Sequence, residues 1–362
     1  MLAVLDGPPA NPSSAHREGA RARRLLEEAR ASVAALLRAA PAEVVFTSGA
    51  TEANNLALSG VVAALTSPRR LVVTAIEHAS VLEPARRLAD EGVALTVIPV
   101  DGVGRVAAAD VVAACDDGTA LASVGLANGE VGTVAPVAEI AASLRGRGVV
   151  VHTDAAQAAG RLPLDVGRLG VDLVSLSSHK LGGPAGVGAL WVRAGTPLRP
   201  LLTGGAQERE RRAGTEPVAA IAGFGAAAEA ARAELEDAAA GMATLRDRLW
   251  EGLRARVPDL MRHGDAGGPC LPNTLNVRFA GCAGESLLVL LDLAGVAVSL
   301  GSACAAGAPE PSHVLRAMGL DAEAARSGLR LSLGPRTTAA EIDAVADLLP
   351  RLVRQVRAEA AA

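Results

Sequence analysis

The sequence predicts an α/β fold: a large domain with a mostly parallel sheet flanked by helices, and a smaller α+β C-terminal domain. Three observations lead there. From about residue 40 to 195, short apolar runs alternate with helical stretches. Those runs are apolar throughout, which is how strands read when both faces of a parallel sheet are covered. The chain has 362 residues, 50% of them hydrophobic, which is enough for one large domain and a smaller one.

Taken in order, Arg17 to Arg38 mixes acidic and basic residues as a solvated amphipathic helix does. Glu43 to Thr47 reads as a strand and Glu52 to Leu58 as a helix. Arg70 to Ile76 is the next strand, followed by a helix from Val81 to Asp90. Ala94 to Val100, Leu121 to Leu126, Gly148 to His152, Val171 to Leu176 and Gly188 to Val192 supply the remaining strands. Ala-rich sequence from Val218 to Val257 reads as one or two long helices leading to the smaller domain. There, strands at Thr274 to Phe279 and Leu329 to Leu333 flank a helix from Glu285 to Leu293. Thr338-Ala-Ala-Glu341 fits the capping box of a last helix. The domains are expected over residues 12–235 and 236–362.

Composition excludes several classes of function. The net charge of −4 comes without any cluster of Lys and Arg, so no direct nucleic-acid contact is expected. Charges or Gly interrupt every apolar run before it reaches the length of a bilayer span, and the first ten residues lack the pattern of a signal peptide. Cys115, Cys270, Cys282 and Cys304 form no CxxC pair and no metal-ligand spacing with the histidines. That pattern fits free thiols in a reducing cytoplasm and no metal site.

Chemistry concentrates in a few segments. Ser177-Ser178-His179-Lys180 follows an apolar strand, and Lys180 is the only lysine of the chain. A strand-end lysine is ordinarily a surface residue. In a chain that uses Arg for every other cation, however, the position that keeps Lys is one where Arg cannot serve. Only an amine with a reachable neutral form makes a Schiff base with an aldehyde cofactor. Asp154, in His152-Thr-Asp154-Ala-Ala-Gln157, stands at a strand end where parallel sheets bind ligands. It reads either as a helix cap or as a partner for a cofactor ring nitrogen, with Gln157 in reach of a ring oxygen. Thr47-Ser-Gly-Ala50-Thr51 joins strand to helix as a phosphate cradle or an ordinary cap. Thr215, in Arg212-Ala-Gly-Thr215, is a similar small cluster. Cys304 lies among Gly, Ala and Ser, the setting of an exposed reactive thiol or of a plain turn. The other three cysteines read as structural. Arg330 alternates with apolar neighbours, as a substrate-carboxylate fork or a surface strand residue does.

Six motifs then occur in one order: Thr47-Ser-Gly-Ala-Thr-Glu-Ala-Asn-Asn55, Glu77-His78, Asp154-Ala-Ala-Gln157, Ser177-Ser-His-Lys180, Arg212-Ala-Gly-Thr215 and Gly301-Ser-Ala-Cys304. From Asn11 to about Asp343 the chain resembles the cysteine desulfurases of the class V aminotransferase group, enzymes of PLP fold type I. The resemblance implies pyridoxal 5'-phosphate (PLP) as cofactor and conversion of L-cysteine to L-alanine. It also implies a homodimer with sites at the subunit interface. In it Lys180 resembles the Schiff-base lysine, His78 the histidine stacked on the ring, Asp154 the pyridinium partner and Gln157 the contact to the ring hydroxyl. Ala50, Thr51, Ser177 and His179 look like phosphate contacts, with Thr215 contributing across the dimer. Cys304 resembles the persulfide-forming cysteine, and Asn11 and Arg330 the substrate-binding residues. The persulfide sulfur would pass to an acceptor such as an iron–sulfur scaffold or a thiolation protein, and the loop from Cys304 to Ser312 resembles the longer-loop subgroup that serves such general delivery.

The chain departs from the family at Gly129, where Asn is usual, with Asn128 beside it. It departs also at Pro335, where Arg is usual, with Arg336 next. It reaches Asn11 without the Ala/Thr-rich strand that lines the family's substrate side, so weakened substrate binding is expected. A selenocysteine lyase or aminotransferase of the same cofactor class, or a non-catalytic sulfur-transfer scaffold, are the alternatives. The first makes Cys304 dispensable, and the second gives a colourless protein.

Overall fold

A computed structural model describes residues 1–65, 70–301 and 311–360. The backbone divides into two units. The first comprises Met1–Ile98, Val106–Leu126 and Ala135–Leu235, the second Pro99–Arg105, Ala127–Val134 and Glu236–Ala362. The segments 99–105 and 127–134, which the sequence reading leaves in the large domain, thus belong to the second unit. They are bonded to it: Arg105 pairs with Asp265, the Val134 N–H donates to the Pro269 carbonyl at 3.1 Å, and the Leu271 N–H donates to the Gly132 carbonyl at 2.8 Å.

Among the described residues the first unit holds seven strands: β1 (Val44–Thr47), β2 (Arg70–Thr74), β3 (Ala94–Ile98), β4 (Thr119–Ser123), β5 (Val150–Asp154), β6 (Leu173–Ser177) and β7 (Gly188–Val192). Their order is β1-β7-β6-β5-β4-β2-β3. Strands β2 to β6 run parallel, and β7 is antiparallel to both β6 and β1. The mostly parallel sheet expected from the apolar runs is present. Alternation along β1 shows why both faces must be covered. Val45 enters a core with Leu56, Val61, Leu71, Leu121 and Leu190. Phe46 instead meets Phe224 of the helix Val218–Ala233 edge-on, with ring centroids 6.4 Å apart.

Among the described residues of the second unit, three antiparallel strands, β8 (Leu260–His263), β9 (Thr274–Phe279) and β10 (Gly328–Ser332), lie in the order β10-β9-β8. Leu275, Val277 and Phe279 pack with Leu287, Leu291, Leu349 and Val353 of the helices Gly284–Leu293 and Ala339–Ala360. The last helix begins at the expected capping box, the Thr338 N–H donating to Glu341 Oε2 at 2.7 Å and the Glu341 N–H to Thr338 Oγ1 at 3.3 Å. Among the described residues no helix is long and apolar enough to cross a membrane. No group of His, Cys, Asp or Glu is placed there to hold a metal ion.

Candidate active site

In the parallel part of the sheet, the C-terminal ends of β2, β5 and β6 lie along one edge, and each carries a candidate residue. Gly188, at the start of β7, pairs with Thr47 on one side and Ser177 on the other. Neighbouring strands lie about 4.8 Å apart. The chain leaving β1 and the chain leaving β6 therefore emerge on either side of a single strand.

The first of these chains starts the helix Ala50–Ala64 directly. Its cap is Gly49, so no side chain binds the first-turn amides, and a Cβ built on Gly49 would have nothing within 4 Å. Ala50 is half-buried and Thr51 exposed. Glu52 closes this end, accepting from the Ser48 N–H at 2.8 Å and from Arg212 Nε at 2.9 Å. Burial acts to raise the Glu52 pKa, but the bonds from Arg212 and Ser48 outweigh it and hold the carboxyl below its ordinary value. Arg212 thereby ties down the segment that carries Thr215, which is itself exposed.

The second chain makes a tight turn, Ser178–Leu181, ended by Gly182 at φ 81°. Ser177 Oγ lies 3.0 Å from His179 Nδ1. Partial burial and then the charge of neighbouring Lys180 push the His179 pKa down, so a neutral ring is favoured. Lys180 is half-buried. Arg161 clamps the turn from below, donating to the Lys180 carbonyl at 3.2 Å and to the Gln157 carbonyl at 3.0 Å. A Cβ on Gly183 would lie 2.3 Å from Ser178 Oγ, so the turn has no room for a side chain there.

Asp154 ends β5, beside β6. Its Oδ1 accepts from the Ala156 N–H at 2.9 Å and its Oδ2 from Asn54 Nδ2 at 2.7 Å. His78 follows β2, caps the helix Ala79–Asp90 through Nδ1, and is exposed. Glu77 beside it is fully buried, accepting from Thr74 Oγ1 at 2.6 Å and the Gly125 N–H at 2.8 Å. Burial pushes its pKa up to about 7, those bonds act against the rise, and Asp154 adds to it.

These strand ends bring together the segments of Ala50, Thr51, His78, Asp154, Ser177, His179 and Lys180, with Gln157 joined through Arg161. Asn11, also in the first unit, stands in a turn where its Oδ1 accepts from the Ser13 N–H at 2.8 Å. In the second unit Arg330 is half-buried on β10. Its Nη1 donates to the carbonyls of Gly129 and Gly301, each at 3.3 Å. Asn128 Oδ1 accepts from the N–H groups of Glu130 at 2.9 Å and Val131 at 3.0 Å, so that oxygen is committed to its own turn. Cys304 lies outside the described residues. Cys115 and Cys282 are buried and free, and burial pushes both thiols up in pKa, the setting of inert structural cysteines. Sequence reasoning gave no role to Asn54, Ser80, Arg161 or Glu130. Glu130 had one signal, a lone acid in the small-residue run Ala127-Asn-Gly-Glu-Val-Gly132.

The family profile Aminotransferase class-V matches residues 5–345. An IscS-like cysteine desulfurase of Mycobacterium tuberculosis is 44% identical over 359 residues, covering 97% of this chain and 91% of its own length. The chain belongs to the cysteine desulfurases of the class-V aminotransferase family. Among solved structures, a NifS-like protein superposes with a TM-score of 0.91 at 36% identity, over 98% of this chain and 94% of its own. A second, SspA in complex with cysteine, has a TM-score of 0.79 and 35% identity, over 91% of this chain and 92% of its own.

Proposed function

We propose that this protein is a PLP-dependent cysteine desulfurase that converts L-cysteine to L-alanine and takes the sulfur on Cys304. The observation that carries the reading is Lys180, the only lysine of the chain. It stands on the turn after β6, one strand from Asp154, with the uncapped start of the helix Ala50–Ala64 across Gly188. The residues fit the cofactor. Open backbone amides at a helix start, beside Ser177 and His179, suit a phosphate, and the anchored carboxylate of Asp154 suits a protonated ring nitrogen.

When bound, PLP supplies an electron sink for charge that develops at the substrate Cα. The rest falls to the chain. The Lys180 amine, whose neutral form is reachable as that of a guanidinium is not, holds the cofactor and takes the Cα proton. Ala50, Thr51, Ser177 and His179 bind the phosphate, Gln157 the ring hydroxyl, and His78 covers the ring and assists proton movement. Arg330 and Asn11 bind the substrate, Arg330 through its carboxylate. The Cys304 thiolate attacks the substrate sulfur, the Cβ–S bond breaks, and the sulfur stays on Cys304 as a persulfide. A homodimer with Thr215 reaching the partner's site, a cytoplasmic setting, and delivery of sulfur to an iron–sulfur scaffold or thiolation protein complete the proposal.

Purified protein should be yellow, and borohydride should fix the cofactor to one peptide, that of Lys180. Added cysteine should yield alanine and, with a reductant, sulfide in equal amounts. A colourless protein that cannot be reconstituted with PLP would overturn the reading.

A further inference from the structure

We propose that Asn54 and Ser80 are positioning residues that fix the imidazole of His78 in one tautomer and link it to the carboxylate of Asp154. The functional meaning of this rests on the desulfurase reading; the geometry does not. Asn54 lies one turn into the helix Ala50–Ala64 and is 0% exposed. Its Nδ2 is 2.7 Å from Asp154 Oδ2 and 2.8 Å from Ser80 Oγ. Turning the amide over would set its carbonyl oxygen against the carboxylate, two acceptors with no proton between them. The NH₂ therefore faces Asp154 and Ser80, and both of its hydrogens are used.

The direction of every further bond follows. Ser80 Oγ accepts from Asn54, so its own proton goes to His78 Nδ1, 2.7 Å away. The Ser80 backbone N–H points at the same nitrogen from 3.1 Å. A backbone N–H can only donate, so Nδ1 carries no proton and the neutral ring bears it on Nε2. The ring is exposed, which leaves Nε2–H as the group offered outward, while Nδ1 is occupied twice over. One buried amide thus sets both the second bond to Asp154 and the tautomer of a histidine on another strand end.

A second observation separates this role from packing. Asn54 Oδ1 is buried and has no hydrogen-bond partner among the described residues. An unbonded buried carbonyl is unfavourable, and an apolar side chain of similar size would avoid it. The two N–H bonds account for an amide at this position.

The test is the protonation of His78 in PLP-loaded protein labelled with ¹⁵N at histidine, the ring signals being assigned by their loss in His78→Asn. Two-bond ¹⁵N–¹H couplings report which ring nitrogen carries the proton. We expect Nε2–H in the parent protein. Ser80→Ala, which leaves both bonds of Asp154 in place, should lower the Nε2–H to Nδ1–H ratio roughly fivefold, the effect of one hydrogen bond of ordinary net strength. Asn54→Leu should shift the same ratio in the same direction, and Asn54→Leu/Ser80→Ala should go no further than Ser80→Ala alone. A purely structural role for these residues would alter thermal stability and leave the ratio unchanged. Nδ1–H in the parent protein, which needs no variant to fold, would overturn the proposal, as would ring signals identical in the parent and both single variants. Protein with Nε2–H that takes up no PLP would sink the desulfurase reading alone.

Discussion

Around Asp154 in the first unit, the carboxylate has both oxygens bonded and His78 Nδ1 has two partners. In the second unit Glu130 and Arg330 are differently placed. Glu130 is buried with Oε1 unpartnered among the described residues, and Arg330 Nε is likewise buried and unpartnered. The Arg330 guanidinium spends its Nη1 on backbone carbonyls. Burial pushes Glu130 up to about 7, while a bond from Ser312 and the charge of Arg330 act the other way. Burial also lowers the Arg330 pKa, with Glu130 opposing that shift. The difference is one of control. Bond direction fixes the first region, so it should respond to changes of shape. In the second region ionisable groups are buried with polar atoms left unpartnered among the described residues, so it should respond to protonation and to an incoming charge.

The largest expected effect lies in the first region. Lys180→Arg keeps a cation but removes the reachable neutral amine. Sulfide release should fall at least ~10³-fold, within the range for loss of a general base, and borohydride should no longer label the chain. Residual turnover within tenfold of the parent would show that bond geometry around Asp154 suffices without the amine. Cys304→Ser should also abolish sulfide release, yet leave the visible band and its response to cysteine intact. If Cys115→Ser or Cys282→Ser silences the enzyme instead, the two buried thiols have been misjudged.

A smaller effect is expected at Arg330. Arg330→Ala should raise the KM for cysteine about ten- to hundredfold, the effect of losing a charge-assisted bond of roughly 1.5–3 kcal/mol. The cofactor band should stay unchanged. An altered band with normal KM would mean that Arg330 serves the cofactor and not the substrate.

The effect of Glu130 is read in stability and not in turnover, and it has the clearest sign. Its folded pKa of about 7 lies above the ordinary 4.5, so between those values the folded protein holds the extra proton. The stability tied to this proton is present below pH 4.5, falls as pH rises toward 7, and then levels. Glu130→Gln has no charge to form. Its stability relative to the parent should therefore grow with pH across that window, by up to about 3 kcal/mol. Urea midpoints of the two proteins measured from pH 4.5 to 7 would show it, and a constant gap would place Glu130 in a wetter setting.

Much of the frame is legible locally. Continuous apolar runs announce a covered parallel sheet, and the break at Glu234 between the helices Val218–Ala233 and Leu235–Arg254 falls inside the stretch read as one or two helices. β8 is missed because Leu260–His263 is short and holds no continuous apolar run, with Met261 exposed and Arg262 half-buried. The antiparallel setting of β7 leaves no trace in its own residues, since direction is decided by where the chain returns. The same holds within the site. Lys180 stands out because it has no counterpart in the chain. Asn54 sits unmarked inside a motif, and its role depends on Asp154, a hundred residues later, and on Ser80 of another helix.

Gly188 carries one more consequence. A Cβ there would stand 2.5 Å from the Leu176 carbonyl oxygen and 2.6 Å from the Gly49 Cα. Both obstacles are backbone, so neither can swing aside as a side chain would. A single methyl group would act as a wedge between the strand that leads to Lys180 and the turn that starts the helix of Thr51. The spacing between the strand that leads to Lys180 and the start of the helix of Thr51 is gauged by the smallest residue available.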